Sequence, residues 1–125
     1  MKKILIVDDN DTNQLLLKMM FKLVPEKVSI QSAFNGQEAI EQLLEDSDFT
    51  AIIMDIQMPI LDGLTTTQLI KLRWPDLPIY LHSCCGDKKL FENPNLYGFT
   101  DILEKPLDKH HFIDFIKKSN LAQLN

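Results

Sequence analysis

Ile4-Leu5-Ile6-Val7-Asp8-Asp9-Asn10 joins an unbroken apolar run to a pair of carboxylates, and the fold follows from reading it. A strand with no polar residue has no face for water, so it belongs in a sheet covered on both sides, which is the habit of parallel sheets. Ala51-Ile52-Ile53-Met54-Asp55 repeats the pattern, an apolar run ending in a carboxylate. Between the two runs, Asn10 or Asp11 can cap a helix. Leu15, Leu16, Met19, Met20 and Leu23 recur at helical spacing as its apolar stripe, and Pro25 forbids continuation. Val28–Ala33 reads as a second strand, and Asn35-Gly36 as a turn pair tolerant of positive φ. Ala39, Ile40, Leu43 and Leu44 give the next helix its apolar face.

Beyond Asp55, a loop containing Pro59 and Gly63 leads to a predicted helix over residues 64–74, stopped by Pro75. Residues 79–81 form a fourth strand, and Ile102 with Leu103 a short fifth. Leu107, His111, Phe112, Phe115 and Ile116 make the last helical stripe, with Asp108 as its cap. Strands alternating with helices in this way predict a single α/β domain over residues 1–125, a doubly wound five-stranded sheet with right-handed crossovers.

The bulk properties agree. A chain of 125 residues can bury roughly two-thirds of the surface it exposes when unfolded. Its 45% hydrophobic and 25% charged residues are those of a folded, water-soluble protein. The longest apolar runs, such as Leu15 to Leu17, fall far short of the ~20 residues that span a bilayer. The start, Met1-Lys2-Lys3 followed by the run at residue 4, is too short in its apolar part for a signal peptide and reads as a strand. The two cysteines, Cys84 and Cys85, are adjacent and could close only a strained ring, so a disulfide framework is excluded and a reducing cytoplasm is expected. A net charge of −5 without a basic stripe argues against direct nucleic-acid binding.

Doubly wound sheets bind ligands at the carboxyl ends of their strands. Asp8 and Asp9 follow the first strand, Asp55 the third, Ser83 the fourth, and Lys105-Pro106 the fifth. Carboxylates gathered in one crevice repel one another and demand a cation. Lys105 supplies one positive charge. Ligation by oxygen alone suits Mg²⁺, whereas the lack of His or Cys among the carboxylates disfavours zinc. Magnesium beside a lysine indicates phosphoryl transfer, in which positioning and charge neutralisation do most of the work.

Taken together, Ile4-Leu5-Ile6-Val7-Asp8-Asp9-Asn10, Met54-Asp55-Ile56-Gln57-Met58-Pro59-Ile60-Leu61-Asp62-Gly63, Ser83 and Glu104-Lys105-Pro106 resemble the receiver (response-regulator) domain of two-component signalling over essentially the whole chain. The resemblance implies a flavodoxin-like sheet of order 2-1-3-4-5. It implies that Asp55 takes a phosphoryl group from a phosphohistidine of a histidine kinase or phosphotransfer domain, with self-catalysed transfer and autodephosphorylation rather than turnover of a separate substrate. Asp9 would bind Mg²⁺ directly, Asp8 largely through water, and Gln57 through its backbone carbonyl. Ser83 would hydrogen-bond the phosphoryl group, and Lys105 would pair with it and with Asp55. A cis bond is implied between Lys105 and Pro106, where cis is accessible. A downstream protein would dock on the face of the fourth helix, fifth strand and fifth helix. Asn10, Asn13 and Gln57-Met58-Pro59 look most like receivers attached to or fed by hybrid histidine kinases in a phosphorelay; a stand-alone regulator is the other arrangement.

Each residue also has a plainer reading. Asp8 and Asp9 could merely cap the first helix, Ser83 could be a loop serine, and Lys105-Pro106 a turn; their convergence on one edge promotes them. His82 reads as a packed or solvent-facing strand histidine with no role, and His110 and His111 point to different sides of their helix. Cys84 and Cys85 stand where the family places small residues; the resemblance implies that Cys85, two positions beyond Ser83, borders the path of hydrolytic water and with Gln57 tunes the phosphoryl lifetime. Two departures from the family stand out. Ile102 replaces the usual aromatic, and Pro94 falls inside the expected fourth helix at residues 87–97, where proline costs about 3 kcal/mol in a helix interior. That helix is predicted to be short or loose. The alternatives are a receiver-like interaction module without phosphorylation, and an aspartate-nucleophile phosphatase of the haloacid dehalogenase type. The latter needs Asp-x-Asp-x-Thr, but Asp9-Asn10-Asp11-Thr12 places the threonine one position early.

Overall fold

The computed structural model describes every residue except 85–87, 123 and 125. Parallel strands β1 (Lys2–Val7), β2 (Val28–Ala33), β3 (Ala51–Met54), β4 (Ile79–Ser83) and β5 (Asp101–Glu104) form one sheet in the order β2-β1-β3-β4-β5. Helices α1 (Asp11–Phe21), α2 (Gly36–Glu45), α3 (Gly63–Arg73), α4 (Lys88–Glu92) and α5 (Lys109–Ser119) cover it, with a 3₁₀ turn, Pro94–Tyr97, after α4. The sheet order implied by the motifs is therefore the one observed.

Alternation along each strand splits the core in two. Ile4, Ile6, Ala51, Ile53 and Tyr80 face α1 and α5, where they meet Leu17, Phe21, Phe112, Phe115 and Ile116. Leu5, Val7, Ile52, Met54, Ile79 and Leu81 face the other way, onto Ala39, Leu43, Ile70, Leu90 and Phe99. Edge-on ring pairs, Phe21 with Phe112 at 5.0 Å and Tyr80 with Phe115 at 5.1 Å, lock the first layer. Asn10, Asn35, Asp62 and Asp108 each cap a helix by accepting a backbone N–H two or three residues inside it.

Three expectations need correction. The buried side of α1 is Gln14, Leu17 and Phe21, flanked by half-buried Leu16 and Met20, while Leu15, Met19 and Leu23 of the expected stripe are exposed. Asn10 rather than Asp11 is the cap, which fixes the rotation of α1, and 14, 17 and 21 then share its inner face. Leu44 likewise lies exposed on α2, and His111 is exposed on α5, with its Nδ1 3.4 Å from Asp108 Oδ2. In α3 it is Thr66, Thr67 and Ile70 that are buried, and Leu69 and Leu72 that point outward. The fourth helix is short, as expected: α4 stops at Glu92, and after Asn93 the chain tightens into the 3₁₀ turn, ended by Gly98 at φ 94°. Position 87 of the expected helix lies outside the described residues.

One loop carries both strain and close approach. Gly63 sits so near the strand end that a Cβ there would lie 1.8 Å from the carbonyl oxygen of Asp55, and its N–H donates to Ile56 O at 2.8 Å. Between them Ile60, 74% exposed, adopts φ 71°, a left-handed conformation that β-branched residues resist. Ile60→Asn should relieve about 1 kcal/mol of that strain with little loss of packing, so its urea midpoint is expected to rise. Gly63→Ala should lower the midpoint by about 1–3 kcal/mol of stability through overpacking.

Candidate functional site

The ends of β1 and β3 place the carboxylates. Asp8 N–H donates to Ala33 O at 3.0 Å and Asp55 N–H to Val7 O at 2.9 Å, continuing the sheet ladder one residue past each strand. Asp8 and Asp55 are thus buried, at 1% and 8% exposure, while Asp9 is exposed at the mouth. One oxygen from each of the three carboxylates lies within 4.8 Å of the others. Lys105, brought in by β5, places its Nζ 3.1 Å from Asp55 Oδ1 and 3.5 Å from Asp8 Oδ2. The Lys105-Pro106 peptide bond is cis.

Burial pushes the Asp55 carboxyl above its usual range; repulsion from Asp8 adds to this, and the Lys105 ammonium offsets it only in part. Asp8 Oδ1 accepts the Asn10 N–H at 2.9 Å, but Oδ2 is buried with no hydrogen-bond partner among the described residues. A cluster of hard oxygen donors with residual negative charge could hold a divalent cation, and it suits Mg²⁺ or another oxygen-seeking ion. Asp9, Asn13, Gln57, Ser83 and Cys84 line the same cleft, of about 550 Å³, beside Asp55 and Lys105. The half-buried Ser83 donates its hydroxyl to Cys84 O at 3.3 Å. Cys85 lies outside the described residues.

Two buried polar residues stand beside these strand ends. Gln14 is buried, with Nε2 at 3.1, 3.0 and 2.9 Å from the carbonyl oxygens of Ile6, Asp8 and Ala33, so it ties α1 to the ends of β1 and β2 directly under the carboxylates. Its signal was its spacing with Leu17 and Phe21. His82, read as having no role, is 2% exposed, and neither ring nitrogen has a hydrogen-bond partner among the described residues. Burial, with the Lys105 charge adding to it, lowers its pKa from 6.5 to about 3.

An imidazole held neutral in the fold costs nothing extra above its unfolded pKa of 6.5, but as pH falls towards about 3 the unfolded chain alone takes the proton and stability is lost. His82→Leu should therefore gain roughly 1–3 kcal/mol at pH 7 by removing an unpaired buried polar group. The gain should widen between pH 6.5 and 3, as urea titrations at several pH values would record.

The chain matches the family profile of the response regulator receiver domain over residues 4–117. It is 32% identical over 111 residues to hybrid signal transduction histidine kinase A, and 42% identical over 108 residues to hybrid signal transduction histidine kinase E, both of Dictyostelium discoideum. These matches cover 85% and 82% of this chain but 5% and 6% of those proteins, so the chain spans a small fraction of their length. In fold it is similar to the chemotaxis protein CheY4 of Vibrio cholerae, with a TM-score of 0.82 at 20% identity over 94% of this chain and 98% of that one. Among the described residues no helix is long and apolar enough to cross a membrane. A profile match over nearly the whole chain, on a sheet of this order, makes the chain a member of the response regulator receiver domain family of two-component signalling.

Proposed function

We propose that residues 1–125 act as one cytoplasmic phosphoacceptor unit, in which Asp55 takes a phosphoryl group from a phosphohistidine. The observation that carries this reading is the Lys105 ammonium, 3.1 Å from Asp55 and 3.5 Å from Asp8, at the mouth of an oxygen-only cleft. An Asp55 carboxylate oxygen forms the new bond to phosphorus while the bond from phosphorus to the donor's imidazole nitrogen breaks, and the imidazole keeps the electron pair. Asp8, Asp9, the Asp55 carboxylate and the Gln57 carbonyl would hold Mg²⁺, which when bound neutralises charge on the phosphoryl oxygens. Lys105 supplies a further positive charge to those oxygens, and the Ser83 hydroxyl can turn from Cys84 O to donate to one of them.

The donor we propose is a histidine kinase or histidine phosphotransfer domain, in keeping with the likeness to hybrid kinases. Exposed Leu15 and Met19 with Lys18 and Lys22 line a groove along α1, a surface complementary to an acidic helix with an apolar stripe. Output would pass through α4, β5 and α5. Ile102, half-buried opposite Leu81 in β4, has no ring to swing and no phenolic hydroxyl to exchange partners. A signal through this face would rest on repositioning α4 and its 3₁₀ turn when Ser83 engages the phosphoryl group.

Incubation with acetyl phosphate and Mg²⁺, followed by intact-mass measurement, tests the assignment. The parent chain is expected to gain one labile phosphoryl group and Asp55→Asn none; a stoichiometric gain by Asp55→Asn would refute it. Because burial and the neighbouring Asp8 raise the Asp55 pKa, the charged form is disfavoured in the fold, and Asp55→Asn should also be more stable than the parent at pH 7 without metal. Asp9→Ala should fold cooperatively yet lose Mg²⁺-dependent phosphorylation, and undiminished labelling at low magnesium would remove Asp9 from the metal site.

A further inference from the structure

The cleft over Asp55 is polar where β1, β3 and β5 end and apolar where α4 meets it. Leu90 and Phe91 line it beside Ser83 and Cys84. Leu90 is 5% exposed and belongs to the core between the sheet and α2, α3 and α4, so it anchors the helix. Phe91 is half-buried and packs on that same core while bordering the cleft. The two neighbours therefore do different jobs: one seats α4, and the other presents a hydrocarbon face to the space above the carboxylates.

An acyl phosphate is lost when water reaches phosphorus from the side opposite the Asp55 oxygen. The water oxygen bonds to phosphorus as the bond from phosphorus to the carboxylate oxygen breaks. The carboxylate leaves with the electron pair, and the water's protons leave with the product as dihydrogen phosphate. A cleft of about 550 Å³ exceeds a phosphoryl group and its metal by many water volumes of roughly 30 Å³ each. Its aspartates, asparagines and glutamine invite water, whereas an aromatic edge displaces it. We infer that Phe91 limits water access to phosphorylated Asp55 and so sets the lifetime of the acyl phosphate, a role that rests on the phosphoacceptor reading above.

The seat of Phe91 is short. The Asn93 N–H donates to Lys89 O at 3.1 Å and the Phe99 N–H to Pro94 O at 3.1 Å, so a five-residue helix and its 3₁₀ turn form the backbone that carries the ring. A protein that binds α4 would therefore alter phosphoryl lifetime as well as read it.

The test uses the intact chain, phosphorylated with acetyl phosphate and Mg²⁺, freed of donor and followed by intact mass. Loss of the phosphoryl group should be at least about fivefold faster in Phe91→Ala than in the parent, intermediate in Phe91→Leu, and unchanged in Leu96→Ala, which alters an exposed residue of the same segment outside the cleft. The rate of phosphoryl gain and the Mg²⁺ concentration for half-maximal gain should stay the same in all four, a pattern that a general loosening of the fold would not give. Should Phe91→Ala fail to fold, Phe91→Leu carries the comparison. Equal lifetimes in the parent and in the folded Phe91 variants would overturn the role of Phe91 while leaving Asp55 as acceptor. A parent chain that gains no phosphoryl group would overturn the acceptor reading itself, and the role of Phe91 with it.

Discussion

Two buried carboxylates and one ammonium set the terms on which the rest of this chain is built. Asp8 and Asp55 sit side by side because β1 and β3 are adjacent parallel strands whose ladders run one residue past Val7 and Met54. Left alone they would repel in a poorly hydrated setting, and Asp55 shows the cost in its raised pKa. Lys105 reduces the cost without cancelling it, which leaves an acidic pocket that could bind a metal ion. Parallel pairing, the fifth strand that delivers Lys105 and the Gln14 amide that pins the strand ends all serve this one unresolved charge balance.

The sequence exposed this arrangement because apolar runs ending in aspartate leave little freedom. Fully buried strands fix the sheet type, and the residue after each run must emerge at the carboxyl edge. Helix faces were harder to read. α1 is apolar nearly all round, so periodicity could not choose between the ring of 15, 19 and 23 and that of 14, 17 and 21; the Asn10 cap and the carbonyls waiting for Gln14 decided it. In α3 the threonines went inside since their small bodies fit against α2, where a Cβ on Gly36 would already lie 1.8 Å from Thr66 Oγ1. His82 could be read only as packed or solvent-facing, because its burial beside Lys105 comes from tertiary packing and leaves no periodic trace.

The side formed by α4, β5 and α5 departs from the family pattern in a physically connected way. Pro94 removes the backbone donor that would continue α4, and the chain answers with a 3₁₀ turn closed by left-handed Gly98 and by Asn95, whose Nδ2 donates to Phe99 O at 3.1 Å. Phe99, 1% exposed, then drives this turn against the core. Ile102 pairs with Leu81 beside it and offers an aliphatic surface where an aromatic would ordinarily reach outward.

The contact between Gly63 and the Asp55 carbonyl ties the first turn of α3 to the backbone of Asp55, with no room for even a methyl group. The segment from Ile56 to Asp62 is consequently a clasp of fixed length. Adding or deleting one residue there would drag Asp55 along its strand, so a change of length in this loop would be felt at the carboxylate cluster itself.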